Sequence, residues 1–109
     1  MDFRELRLAQ NEVIFREVNE QVRKVAAGHG NDAHLYEFFC ECSNADCNLK
    51  LALSVPEYEA VRAHGHWFVI APGHVLPEIE HTVERHDGYD VVAKEADAAK
   101  FVEELDPRS

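Results

Sequence analysis

Apolar residues recur at helical spacing in the first quarter of the chain and at strand spacing through its middle. Leu8, Phe15 and Val22 repeat every seven residues, with Val18 and Val25 beside them. That stripe predicts one amphipathic helix over residues 2–27. Asp2 with Glu5 three residues on fits a capping box at its start, and Gly28-His29-Gly30-Asn31-Asp32 stops it. Glu12–Arg16 and Glu20–Lys24 are spaced i,i+4, pairs that support an exposed helix face by about 0.3 kcal/mol each. The stripe is expected to pack on the chain's own domain. The alternative is a coiled-coil-like seam for a second chain, a homodimer through the N-terminal helix, with Asn11 interrupting that seam.

Leu35-Tyr36-Glu37-Phe38-Phe39-Cys40 is aromatic and strand-like, and Leu49-Lys50-Leu51-Ala52-Leu53 alternates as its antiparallel partner. Ser54-Val55-Pro56-Glu57 predicts a capped helix running to about His64, with Tyr58 and Val61 inward. Trp67-Phe68-Val69-Ile70 is a short apolar strand, followed by a Pro72-Gly73 turn. Two further strands, Ile79 to Arg85 and Tyr89 to Lys94, flank His86-Asp87-Gly88 as a hairpin. A last helix over about Ala96 to Leu105 places Ala98, Phe101, Val102 and Leu105 on one face, and Pro107 ends it. The fold class expected is α+β: a long N-terminal helix on a small, mostly antiparallel sheet, in one domain over residues 1–109. Within it, residues 35–94 form the strand-rich, zinc-stabilised core and residues 95–105 the C-terminal helix.

A 46% hydrophobic content is enough for a core and argues against disorder. No apolar run reaches the ~20 residues of a membrane helix, and Met1-Asp2-Phe3-Arg4-Glu5 lacks a signal core. The expected location is therefore cytoplasmic. A net charge of −10 argues against nucleic acid or an anionic membrane as the main partner and towards a protein with a basic surface.

The three cysteines are an odd number, which excludes a closed disulfide framework. All fall in Cys40-Glu41-Cys42-Ser43-Asn44-Ala45-Asp46-Cys47. Thiolates suit Zn²⁺, which takes four ligands in a tetrahedron. A flat strand would hold the two thiols of C-x-C too far apart for one ion, so the chain must bend at Glu41-Cys42. Among seven histidines, His74 is favoured as fourth ligand because it follows the rigid Pro72-Gly73 turn. His64, His66, Asp46 or water are the alternatives. His29 and His34 read as solvated loop residues, His81 as a surface cross-strand residue, His86 as a turn cap. The other readings of the cysteines are redox-active thiols or inert small hydrophobes. Glu37, Glu41 and Asp46 nearby are expected to disfavour a free thiolate. No HExxH, GxSxG or phosphate-cradling glycine loop occurs. Glu41 is the one candidate base for a zinc hydrolase, and a non-catalytic role is the stronger reading.

Several of these segments carry a resemblance. Asn11 to Glu20, Phe39-Cys40-Glu41-Cys42 with Cys47, Tyr58 to Arg62, Phe68-Val69-Ile70-Ala71-Pro72-Gly73-His74 and Glu84 to Tyr89 resemble a family of small uncharacterised actinobacterial proteins over residues 6 to 94. The resemblance implies that Cys40, Cys42, Cys47 and His74 belong to one site, and it implies no activity. The functions expected are a zinc-binding protein-interaction or regulatory module, or a redox-responsive zinc-thiolate switch, with a thiolate-zinc enzyme the weaker third.

Overall fold

The long helix α1 spans Phe3–Ala26 and is capped by Asp2, whose Oδ1 accepts the Glu5 amide at 2.7 Å. The structure, a computed structural model, describes residues 1–28 and 32–108. His29, Gly30 and Asn31 of the expected helix stop lie outside the described residues. The remaining elements follow as β1 (Leu35–Phe39), β2 (Lys50–Ser54), α2 (Val55–Arg62), β3 (Trp67–Ile70), β4 (Glu80–His86), β5 (Tyr89–Lys94) and α3 (Ala96–Glu104).

The architecture is α+β, but the strands form two small sheets rather than one. β1 and β2 make an antiparallel pair, and β3, β5 and β4 make a three-stranded antiparallel sheet in that order. Alternation explains the first: Phe38 sits opposite Leu51 and Tyr36 opposite Leu53, all turned inward, while Leu35 and Glu37 stay exposed. β5 is the central strand of the second sheet and is buried along its whole length. Its neighbour β4 returns through the two-residue Asp87-Gly88 turn, where Gly88 takes φ +90°. Ser54 and Glu57 form a reciprocal capping box at α2, as expected. One core joins Val13 of α1, Phe38, Leu53, Tyr58, Phe68 to Ile70, Val91 and Val102 of α3. On α3, Ala98 and Val102 are buried as expected, but the helix ends at Glu104 and Leu105, just past it, is exposed.

α1 departs from the expected orientation. Its buried face is Ala9, Glu12, Val13, Arg16, Asn19 and Glu20. Leu8, Phe15 and Val22 are half-buried on the flanks, and Val18 and Val25, expected inward, are exposed. The i,i+4 pairs expected on a solvated face do not form it either. Glu12 pairs with Lys94 of β5, which also pairs with Glu80 of β4, and all three side chains are fully buried. Arg16 donates to the Gly65 and Val102 carbonyls at 2.8 Å each and lies over the Phe68 ring. Glu20 accepts from Arg62 at 2.7 Å and from Arg108 at 3.0 Å, and Arg62 also reaches Asp106. Every one of these partners comes from far along the chain. Buried charges are tolerable only when paired, so tertiary partners turned the polar face of the helix inward.

Candidate metal centre

The site forms where the chain passes from one sheet to the other. The Cys40 amide donates to the Leu49 carbonyl beside β2, and the next amide, Glu41, donates to Val69 in β3. β1 ends at Phe39. That switch of partner is the bend that one ion needs from a C-x-C pair. Asn44 then shapes the loop: its Oδ1 accepts the Asp46 amide at 3.0 Å and its carbonyl accepts the Cys47 amide at 3.0 Å. Opposite, Gly73 takes φ +83° and the His74 amide donates to the Ala71 carbonyl at 3.0 Å. This tight turn directs the imidazole at the thiols.

Sγ of Cys40, Cys42 and Cys47 and a ring nitrogen of His74 all lie within 4.8 Å of one another. Nδ1 of His74 is 3.6 Å from Cys40 Sγ and 3.9 Å from Cys47 Sγ. These four residues lie close enough to hold a metal ion. Cys40 and Cys42 are buried, Cys47 and His74 half-buried. The Ala71 amide donates to Cys40 Sγ at 3.1 Å, an interaction that favours a thiolate or a metal-bound sulfur. The thiols are strongly differentiated. The hydrogen bond from Cys40 first, and then His74, pulls Cys42 down to about 4, against the opposing effect of burial. Cys40, as the donor to Cys42, is pushed well above the usual thiol range, and burial adds to this. Of the neighbouring carboxylates, Glu37 and Asp46 are exposed and Glu41 is turned inward.

Glu41 is fully buried, and both its oxygens are engaged. Oε1 accepts the Val69 amide at 3.0 Å; Oε2 accepts Asn19 Nδ2 at 2.9 Å and the Tyr58 hydroxyl at 3.0 Å. Burial holds its carboxyl above the ordinary range despite these donors. It is therefore a support for the bend, tied to α1, α2 and β3, rather than a base facing a bound water. Asn19 also closes on both backbone groups of Phe39, accepting from its amide at 2.7 Å and donating to its carbonyl at 2.8 Å. Asn11 donates to the Ser43 carbonyl at 2.8 Å. Asn11 is expected from the sequence only to interrupt a seam, and the apolar periodicity does not single out Asn19. Their signal is two asparagines eight residues apart inside one helix, where such residues are unfavourable unless their side chains have a task.

The other described histidines lie elsewhere. His64 stacks on Trp67 with ring centroids 3.8 Å apart, and His66 meets His64 edge-on. His34 is exposed beside Tyr36. His81 pairs with Glu95 on the surface at 2.7 Å, and His86 stacks on Tyr89 and contacts Glu84. No described helix is long and apolar enough to cross a membrane. No protein-family model, curated protein or solved structure matches the chain.

Proposed function

We propose that the chain is a non-catalytic zinc-binding protein of the cytoplasm that works as a protein-interaction module. A closed Cys40, Cys42, Cys47, His74 site would hold its two sheets together. The observation that carries this is the convergence of three sulfurs and one imidazole nitrogen within 4.8 Å. Bonds of about 2.3 Å to sulfur and about 2.05 Å to nitrogen give tetrahedron edges of roughly 3.8 Å between sulfurs and roughly 3.6 Å from sulfur to nitrogen. The sulfur–nitrogen separations of 3.6 and 3.9 Å are close to that. Zinc is also the ion that three soft thiolates and an imidazole suit best. It would bridge segments 27 residues apart, from Cys47 to His74, restricting the unfolded chain and stabilising a small fold. With both Glu41 oxygens occupied and His74 at the fourth position, nothing in the donor set favours an enzyme.

Metal analysis of protein purified under reducing conditions tests this. We expect one zinc per chain, lost in Cys42→Ser. Cobalt substitution should give the visible bands of a tetrahedral thiolate site. Metal-free protein that is folded and indifferent to added zinc would refute the reading.

The crowding of three thiols supports a second reading, a redox switch. Hydrogen peroxide would oxidise two thiols to one disulfide, itself reduced to two waters, with release of the metal. Zinc release by mild peroxide, reversed by a dithiol reductant, would favour it over the static module.

A further inference from the structure

We propose that two copies of this chain associate through the outer face of α1, packed antiparallel about a two-fold axis. The starting point is the inversion of that helix. Glu12, Arg16 and Glu20 are buried, and its outer face carries Ile14 at 57% exposure, Val18 at 40% and Val25 at 69%. With Gln21 these positions follow the 4-3-4 spacing of a coiled-coil seam. An exposed apolar stripe on a helix that already contributes its other face to the core marks an interaction surface.

The shape and charge of this face select a second copy as the occupant. Beside the stripe's C-terminal half lies a mostly apolar groove lined by Val18, Val22, Val25 and Ala26 of α1 and by Tyr36 of β1, with Gln21 and Glu37 at its polar margin. At its N-terminal half Ile14 protrudes. A two-fold axis between Val18 and Gln21 sets each Ile14 against the other copy's Val25, at the mouth of that groove, and each Val18 against the other copy's Gln21. One surface supplies both knob and groove, which is the requirement for a closed two-fold contact. Charge agrees. Glu17 and Lys24 border the same edge of the stripe, and both are exposed. In the antiparallel pairing each Glu17 comes within about two residues, roughly 3 Å of helix rise, of the other copy's Lys24. Two such ion pairs form per dimer. In a parallel two-fold pairing that edge would instead face the other copy's opposite edge, where Phe15 and Val22 stand, and neither ion pair would form. The chain's overall acidity opposes self-association, but along this edge the charges are of both signs and self-complementary.

Sedimentation equilibrium of the full chain as purified tests the proposal. At high micromolar concentration the mass should be twice the monomer's 12.4 kDa. Ile14→Glu should return the monomer mass with unchanged far-UV circular dichroism and metal content. Glu17→Lys and Lys24→Glu should each weaken association by roughly tenfold, and the double exchange should recover it. Three results would overturn the proposal: a monomeric wild type throughout, an Ile14→Glu variant that still dimerises, or a double exchange as weak as the singles. A monomer that instead takes up a basic amphipathic peptide would assign the face to a foreign partner and would also overturn it.

Discussion

Lys94→Met is the sharpest test of the inverted helix. Lys94 stands between Glu12 on α1 and Glu80 on β4, with all three side chains fully buried, and its ammonium lies 5.0 Å from the centre of the Phe68 ring. Methionine keeps the length and packing of the stem and removes only the cation. The two carboxyls then carry one more uncompensated negative charge, which the interior can shed by taking up a proton. Glutamate ordinarily titrates at 4.5. At pH 7.5 that proton is held three pH units above this value, at about 1.36 kcal/mol per unit, or about 4 kcal/mol. The size agrees with the ~3–5 kcal/mol typical of removing one partner from a buried pair. At pH 5.5 the same proton costs only about 1.4 kcal/mol. Urea denaturation of wild type and variant, at matched zinc and at both pH values, reads the difference directly. The expected result is a large loss at pH 7.5 that shrinks by more than half at pH 5.5. A loss below about 1 kcal/mol at pH 7.5, or one independent of pH, would refute a charge-bearing buried triad.

Other consequences can be measured in the same way. Burial pushes Glu12 up to about 7 against the pull of Lys94, so its contribution to stability is complete below pH 4.5 and is lost as pH rises through about 7. Glu12→Gln should therefore gain about 3 kcal/mol on wild type between pH 4.5 and 7.5; subtracting the two profiles cancels the other groups, and a flat difference would contradict the assignment. Asn19→Ala removes one of the three donors to the Glu41 carboxylate and strands the Phe39 amide, and should cost about 2–4 kcal/mol by denaturant titration while weakening metal retention; Asn19→Asp should not rescue it, because it returns no donor. Excess chelator under reducing conditions should lower the melting temperature by roughly 10–20 °C in wild type and by little in Cys42→Ser, as followed by circular dichroism.

Much of the local structure was legible in residue order. The capping box at Ser54 and Glu57, the Asp87-Gly88 hairpin and the Pro72-Gly73 turn each depend on neighbours within four residues, and each formed where expected. The four candidate ligands were also legible, because clustered thiols and a histidine after a rigid turn are short-range features. The division of the strands into two sheets was not legible. It depends on the Cys40 amide reaching Leu49 and the Glu41 amide reaching Val69, and no periodicity encodes that switch.

The orientation of α1 shows the boundary most clearly. Sequence alone determined a helix over about residues 2–27, through capping and the seven-residue repeat, and Phe3–Ala26 formed. Which face turned inward was decided by tertiary structure. Burying Glu12, Arg16, Asn19 and Glu20 would be prohibitive for an isolated helix, and it becomes favourable only because Lys94, the Gly65 and Val102 carbonyls, Glu41 and Arg62 arrive from distant segments to meet them. Hydrophobic pattern registers where apolar groups stand along one element. It carries no information about which distant charge will be waiting for a polar one.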